Sequence, residues 1–164
     1  MKKIAALLAL AAVALWAGNT SLFHAPRDGH PLPLAHRGVH QTYAMQDLDA
    51  DTCTAARIRP PVHGYVENTL VSMRAAFDAG AQVVELDVHL TPDGKFAVFH
   101  DWTLDCRTNG RGVTQDTPMT VLRTLDIGYG YTADDGATWP LRGRGVGQMP
   151  ALDDVLDAFP DGRF

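Results

Sequence analysis

The sequence has few cysteines and no excess of basic residues, and each shortage excludes a class of protein. Two cysteines in 164 residues are too few for a small disulfide-framework protein or for a zinc cluster built from cysteine alone, which needs four. Fourteen Lys and Arg against nineteen Asp and Glu give a formal net charge of −5, which argues against a nucleic-acid partner. Internal repeats are also absent, and a composition of 46% hydrophobic and 20% charged residues is typical of a globular protein.

An apolar run follows two basic residues at the N-terminus. Lys2 and Lys3 precede an uninterrupted apolar run over residues 4–17, and small and polar residues come next. This order predicts a secretory signal peptide at residues 1–17. An uncleaved membrane anchor is the alternative, although the run is shorter than the ~20 residues of a spanning helix. Both interpretations predict export to the periplasm or the extracellular space, a linker over residues 18–31, and membrane association if the segment is retained.

Signals for strands and helices alternate from residue 32 onwards. A polar stretch without sustained periodicity, residues 39–66, predicts one long loop with at most short helical turns. The order of the elements and their apolar strands predict an α/β sheet or barrel. The predicted elements are strands at 32–35, 81–90 and 96–99, a helix that begins after Asn68 or Thr69 and ends at Gly80, and helices at 118–125 and 151–159.

Ionisable residues accompany all three predicted strands. His36 and Arg37 follow the first strand and His100 follows the third, while Glu85 and Asp87 share one face of the middle strand because side chains alternate along it. A half-buried strand with a wet polar face would explain the two carboxylates taken alone. Because the carboxyl ends of strands form the site in parallel α/β folds, the shared position favours convergence of all five groups at one mouth.

The residue types at this predicted mouth suit the cleavage of a phosphodiester. Glu85 and Asp87 offer the oxygen ligands that Mg²⁺ or Ca²⁺ requires. His36 and His100 can act as general base and general acid, and the guanidinium of Arg37 matches the geometry of a phosphate. The sequence therefore predicts a small-molecule phosphodiester as the substrate.

Several motifs occur around these residues in a fixed order. They are His36-Arg37-Gly38, Glu67-Asn68-Thr69, Glu85-Leu86-Asp87-Val88, Thr91-Pro92-Asp93-Gly94, His100-Asp101, Thr103-Leu104, Arg107-Thr108-Asn109-Gly110, Leu125-Asp126 and the run from Met149 to Leu156. Together they cover about residues 32–164 and resemble the glycerophosphodiester phosphodiesterase family.

The resemblance implies a fold, a reaction and a set of site residues. The implied fold is a TIM-type (β/α)₈ barrel, and the implied reaction is cation-dependent hydrolysis of deacylated phospholipids such as glycerophosphocholine to glycerol 3-phosphate and an alcohol. The implied roles are acid/base catalysis for His36 and His100, phosphate binding for Arg37, ligation of Mg²⁺ or Ca²⁺ for Glu85 and Asp87, and support of the active site for Glu67.

Two features depart from the pattern of the family. The loop at residues 39–66 is longer than the family commonly shows, so we expect it to cap the mouth and to affect substrate choice. Cys53 lies in this loop and Cys106 lies just after the third strand, and the two either form a disulfide or remain buried thiols.

The second departure concerns the extent of the domain. The family draws a third acidic metal ligand, and usually a nearby lysine, from the strand that Arg163 and Phe164 would open. A complete barrel has eight βα units and ~250 residues, and about three units are recognisable here. We therefore expect residues 32–164 to form the N-terminal portion of the domain, inactive alone.

Two other functions remain open at this stage. A related phospholipase-type barrel would use similar chemistry but would release a cyclic phosphate. A non-catalytic barrel would bind phosphodiesters or lipid headgroups without turnover. Analysis of the product distinguishes these alternatives from hydrolysis to glycerol 3-phosphate.

Overall fold

Two short sheets organise the fold in a computed structural model that describes residues 2–20, 22, 29, 31–49 and 52–164. The described chain divides into a unit at Met1–Pro31 and a unit at Leu32–Phe164. Most of the predicted linker at 18–31 lies outside the described residues. The apolar N-terminal run is helical, as α1 at Lys2–Asn19. Among the described residues, no helix combines the length and the apolar character needed to cross a membrane.

The second unit contains four strands of three residues each. β1 at Leu34–His36 pairs in parallel with β2 at Val83–Glu85, and β3 at Val88–Leu90 pairs in antiparallel with β4 at Phe96–Val98. One long connection joins β1 to β2 and carries α2 at Leu70–Asp78, so these elements form one parallel βαβ unit. The mixed α/β class predicted from the sequence is confirmed, but the strands that the structure describes do not close into a barrel.

The predicted strand at residues 81–90 is wrong in one respect, because the chain breaks it in two after Glu85. β2 pairs with β1, whereas β3 turns away to form a hairpin with β4. Asp87 lies between the two strands, so it does not continue a single strand face with Glu85. The apolar side chains of Val88 and Leu90, which a continuous strand would bury beside Val84, are 42% and 56% exposed.

The predicted helices are confirmed, with shorter ends. α2 begins after Thr69, whose hydroxyl accepts from the Ser72 backbone N–H while the Ser72 hydroxyl faces the Thr69 N–H, a reciprocal cap. Gly80 follows α2 at a φ of 97°, a conformation in which glycine avoids strain. The later helices are a 3₁₀ turn at Thr114–Asp116, α3 at Met119–Leu122 and α4 at Leu152–Ala158.

The long loop at residues 39–66 is fixed to the rest of the fold at several points. It contains a 3₁₀ turn at Thr54–Arg57 and an isolated bridge between Tyr43 and Ile58. Cys53 and Cys106 form a disulfide, which settles the two alternatives left open by the sequence. The loop also contributes Ala55 and Ile58 to a buried apolar cluster, so its middle is part of the core.

A second apolar cluster joins α2 and α4 to the strands. Met73 of α2, Val84 of β2, Val98 of β4 and Val155 of α4 are fully buried there. Because side chains from both sheets enter this cluster, its packing fixes where the ends of β1, β2 and β4 lie relative to one another.

Candidate active site

A tight left-handed turn directs Arg37 into the protein directly after β1. Arg37 has a φ of 59° and Gly38 a φ of 75°. A Cβ atom at Gly38 would lie 2.7 Å from Ser72 Oγ, so only glycine allows α2 to approach this closely. The strained backbone of Arg37 is tolerated here, and its side chain is 11% exposed.

The parallel register of β1 and β2 places His36 opposite Glu85. His36 Nε2 lies 3.8 Å from Glu85 Oε2, and both side chains are partly exposed. Partial burial and the positive charge of Arg37 lower the pKa of His36, although the carboxylate of Glu85 opposes them. The imidazole is therefore neutral near pH 7 and can accept a proton.

Arg37 contacts two carboxylates in the interior. Its Nη1 donates to Glu67 Oε1 at 2.9 Å. Its Nε lies 3.0 Å from Asp87 Oδ2, which makes an ion pair. The Nε–H is not directed at that oxygen, however, and so has no hydrogen-bond partner. We regard the contact with Asp87 as a charge interaction that leaves this donor available.

Asn68 provides a further contact to Asp87 from the segment before α2. Its backbone is left-handed, with a φ of 57°, and its N–H donates to the Arg37 carbonyl at 2.9 Å. The side-chain Nδ2 donates to Asp87 Oδ2 at 3.2 Å, while the amide oxygen Oδ1 is buried without a hydrogen-bond partner. The turns at Arg37 and Asn68 thus fix each other and hold Asp87 between them.

Buried polar atoms without a hydrogen-bond partner concentrate around Arg37 and its neighbours. Among the described residues, three buried side-chain polar atoms have no hydrogen-bond partner, and they are Arg37 Nε, Asn68 Oδ1 and Glu85 Oε2. Buried polar groups are normally paired, so such a concentration indicates a ligand site. One donor and two oxygens suit an anion next to an oxygen-liganded cation. In the described part of the chain, no three His, Cys, Asp or Glu side chains are grouped to hold a metal by themselves.

His100 belongs to a hydrogen-bonded pair at the end of β4. Its Nδ1 lies 2.7 Å from Asp101 Oδ1, and the second oxygen of Asp101 accepts from Arg107 Nε at 2.9 Å. Burial would raise the pKa of Asp101, but the hydrogen bond with His100 and the charge of Arg107 outweigh it and lower that pKa. The ionised carboxylate accepts from Nδ1–H, so Nε2 of His100 is free to exchange a proton.

Glu67 connects the contacts of Arg37 to the chain formed by His100, Asp101 and Arg107. One oxygen accepts from Arg37, and the other lies 3.2 Å from Arg107 Nη1. Burial would raise the pKa of Glu67, but Arg107 and Arg37 outweigh it and lower the pKa. The carboxylate is therefore ionised and shared between two guanidinium groups.

A cavity of about 450 Å³ lies beside these groups, under the long loop. Arg37, His100, Asp101 and Arg107 line it from the strand ends and from the segment after β4. The long loop contributes Tyr43 to the lining. The loop therefore borders the cavity, and its role in capping the mouth and in substrate choice stays a prediction.

The structure brings most of the predicted site residues into one network. Arg37, Glu67 and Asp87 are in direct contact, His36 faces Glu85, and His100 joins Glu67 through two intermediates. From the sequence, no site role is predicted for those two intermediates, Asp101 and Arg107, and Asn68 is predicted only as a candidate helix cap. All three lie in motifs recognised above, and the position of Arg107 directly after Cys106 was the available signal.

Known proteins similar to this chain fall into one family. The sequence profile of the glycerophosphoryl diester phosphodiesterase family matches residues 36–163. A glycerophosphodiester phosphodiesterase of Bacillus subtilis is 37% identical over 98 residues, which are 58% of this chain and 33% of that protein. One from Caldanaerobacter subterraneus is 44% identical over 65 residues, 40% of this chain and 27% of that protein. The chain therefore spans about a third of the length of these relatives.

Solved structures show the same similarity. A phosphodiesterase from Oleispira antarctica, in complex with its product sn-glycerol-3-phosphate, has a TM-score of 0.53 and 27% identity, and the match covers 79% of this chain and 40% of that one. A glycerophosphodiester phosphodiesterase from Agrobacterium tumefaciens has a TM-score of 0.50 and 29% identity, with coverage of 79% and 43%. With the family profile matching most of its length, the chain belongs to the glycerophosphoryl diester phosphodiesterase family.

Proposed function

We propose that the protein hydrolyses glycerophosphodiesters, the deacylated forms of phospholipids, to glycerol 3-phosphate and an alcohol. The observation that carries this proposal is the concentration of unpartnered buried atoms at Arg37, Asn68 and Glu85, next to His36, in a member of this family. The names of the relatives and the sn-glycerol-3-phosphate bound to the Oleispira enzyme support the choice of substrate.

Arg37 would bind the phosphate of the substrate. Its contacts with Glu67 and Asp87 fix the plane of the guanidinium, and its Nε–H still lacks an acceptor. A guanidinium carries five N–H donors, so donors remain for a phosphate oxygen after both carboxylates are satisfied. Fixing the guanidinium before the substrate arrives reduces the entropy lost on binding.

His36 and His100 would act as the acid/base pair. One takes a proton from the attacking water, and the other gives a proton to the oxygen of the leaving alcohol. The Asp101 carboxylate orients His100 so that Nε2 exchanges the proton, while the lowered pKa of His36 keeps its ring neutral. Each proton transfer contributes an acceleration of ~10²–10⁴-fold.

Glu85 and Asp87 would hold a divalent cation, Mg²⁺ or Ca²⁺, with the amide oxygen of Asn68 in reach of the same region. The donor set fits such an ion because it consists of oxygens, two of which are buried without a hydrogen-bond partner. When bound, the ion supplies positive charge that stabilises the phosphate oxygens during hydrolysis.

The complete fold would be a (β/α)₈ barrel, with this chain as its N-terminal portion. The parallel β1–α2–β2 arrangement is the repeating unit of such barrels. The solved structures support this proposal, because 79% of this chain aligns with 40–43% of theirs. The β3–β4 hairpin would be an antiparallel addition to this plan.

The protein would act outside the cytoplasm. The N-terminal apolar run has the order of a signal peptide or an anchor. The Cys53–Cys106 disulfide supports export, because disulfides form and persist mainly in oxidising compartments. Fractionation of cells that express the protein, followed by blotting, tests this expectation.

Product analysis of the full-length protein tests the proposed reaction. We expect incubation with glycerophosphocholine to give open glycerol 3-phosphate and choline, detected by ³¹P and ¹H NMR. A cyclic phosphate as the end product would instead indicate the phospholipase-type reaction. Tight binding of the substrate with no product would indicate a non-catalytic phosphodiester-binding protein.

A further inference from the structure

We propose that Arg107 is a positioning residue that fixes both halves of the active site, His100 through Asp101 and Arg37 through Glu67. The inference rests on the proposed function for its catalytic consequences. The structural part, in which one guanidinium joins two carboxylates and the long loop, depends only on the contacts of Arg107.

The first arm of Arg107 determines the orientation of His100. Arg107 Nε donates to one oxygen of Asp101 at 2.9 Å, and the other oxygen lies 2.7 Å from His100 Nδ1. Because both oxygens are engaged, the carboxylate cannot rotate without breaking a charged contact. The imidazole is therefore held in one tautomer and one orientation, with Nε2 directed away from Asp101.

The second arm determines the place of Arg37. Arg107 Nη1 lies 3.2 Å from Glu67 Oε2, and Glu67 Oε1 accepts from Arg37 at 2.9 Å. Displacement of Arg107 would leave Glu67 free to turn toward Arg37 alone. The guanidinium proposed to bind the phosphate would then lose its fixed plane.

Arg107 is itself held by a tether to the long loop. Its Nη2 donates to Thr54 Oγ1 at 2.7 Å, and its Nη1 donates to the Tyr131 hydroxyl at 2.9 Å. The preceding residue, Cys106, forms the disulfide with Cys53. Two consecutive loop residues, Cys53 and Thr54, thus contact two consecutive residues at the site. The long loop is in this way connected to the position of the catalytic groups.

Only arginine can make this set of contacts. Its side chain is 4% exposed and serves four partners through three separate nitrogen atoms. Lysine carries its donors on one atom and cannot span the same distance between Asp101 and Glu67. Arg107→Lys therefore keeps the positive charge but cannot make all four contacts, which makes it the decisive variant.

The test compares Arg107→Lys with Arg111→Lys in the full-length protein. Arg111→Lys makes the same substitution at an arginine that is 85% exposed and pairs with Asp105 rather than with the site, so it is the matched control. For Arg107→Lys we expect a loss of about 10²-fold in kcat, as for a misplacement of ~1 Å. We expect Arg111→Lys to keep the wild-type kcat. The ring ¹⁵N signals of His100 should show a single Nδ1–H tautomer in the wild type and in Arg111→Lys, and a mixture in Arg107→Lys.

The NMR arm separates this proposal from the proposed function. A wild-type protein without hydrolytic activity would contradict the function, while the tautomer of His100 would still decide the role of Arg107. Wild-type kcat and unchanged His100 signals in Arg107→Lys would overturn the proposal. If Arg107→Lys does not fold, Thr54→Val takes its place: a mixed His100 tautomer and a lower kcat support the proposal, and wild-type values overturn it.

Discussion

Arg37 and Glu67 form a buried ion pair at 2.9 Å, and both side chains are about one-tenth exposed or less. The second oxygen of Glu67 faces Arg107, so one carboxylate pairs with two buried cations, which Asp87 and Asp101 also contact. Charges buried to this degree are expensive unless they are paired, which makes Glu67 central to stability as well as to the site.

We expect Glu67→Gln to destabilise the protein by about 3–5 kcal/mol, because it leaves two buried guanidinium groups short of a negative charge. Urea denaturation measures the change in the free energy of unfolding. Asp153→Asn is the matched control, since it breaks an ion pair with Lys95 that lies on the surface, and exposed pairs contribute little. Equal stability of the two variants would contradict the structural role of Glu67.

The same carboxylates predict how stability depends on pH. The pKa values of Glu67 and Asp101 are lower in the folded protein than the ordinary values of 4.5 and 3.8. Their contribution to stability is therefore complete above those ordinary values and is lost as the pH falls through the lower folded values. Denaturation midpoints measured from pH 7 to pH 3 should fall steeply below about pH 4.5, and less steeply in Glu67→Gln. Parallel curves for the two proteins would show that Glu67 does not cause the loss.

Local signals explain why much of this fold could be predicted from sequence. The cap at Thr69 and the spacing of apolar residues after it depend on neighbours within one turn, and α2 begins where they predict. The break after Glu85 could not be predicted, because the alternation of side chains continues through residue 90. The break arises from the pairing of β3 with β4, which depends on tertiary contacts rather than on the local pattern of side chains.

The site residues also divide into those that the sequence predicts and those that only the structure shows. His36 and Glu85 are the last residues of β1 and β2 and Arg37 follows β1, so the parallel pairing of the two strands brings all three together. Arg107 follows no strand, and its partners range from Asp101, six residues away, to Thr54, fifty-three residues away. Neither periodicity nor spacing connects such residues, so only the folded structure reveals the network.

We expect Asp87→Asn to abolish turnover and to leave the fold intact, because the side chain keeps its size while the proposed cation loses a charged ligand. Removal of divalent cations with EDTA should have the same effect, reversed by Mg²⁺ or Ca²⁺. Titration calorimetry should show weaker cation binding by Asp87→Asn than by the surface control Asp153→Asn. Undiminished hydrolysis after exhaustive chelation would reject the cation requirement.

The two histidines should each be essential for catalysis. We expect His36→Ala and His100→Ala each to lower kcat by ~10²–10⁴-fold with little change in KM, because proton transfer is lost and the phosphate contact is kept. His63→Ala, in the long loop, is the matched control and should retain activity, since His63 contacts Gln41 and Tyr65 rather than the site. A double variant of His36 and His100 with near-normal kcat would exclude acid/base catalysis by this pair.

The disulfide should support both stability and activity. Cys53 and Cys106 are separated by 53 residues, and in the chain-entropy description closing a loop of that length stabilises the folded state by about 4 kcal/mol. The double variant Cys53→Ser, Cys106→Ser should lose much of this free energy of unfolding. It should also lose activity at temperatures where it stays folded, because Cys106 precedes Arg107 and Cys53 precedes its partner Thr54. Kinetic assays below the melting transition, with reduced wild-type protein alongside, separate the two effects. A fully active double variant that melts earlier would show that the disulfide stabilises the loop without positioning the site.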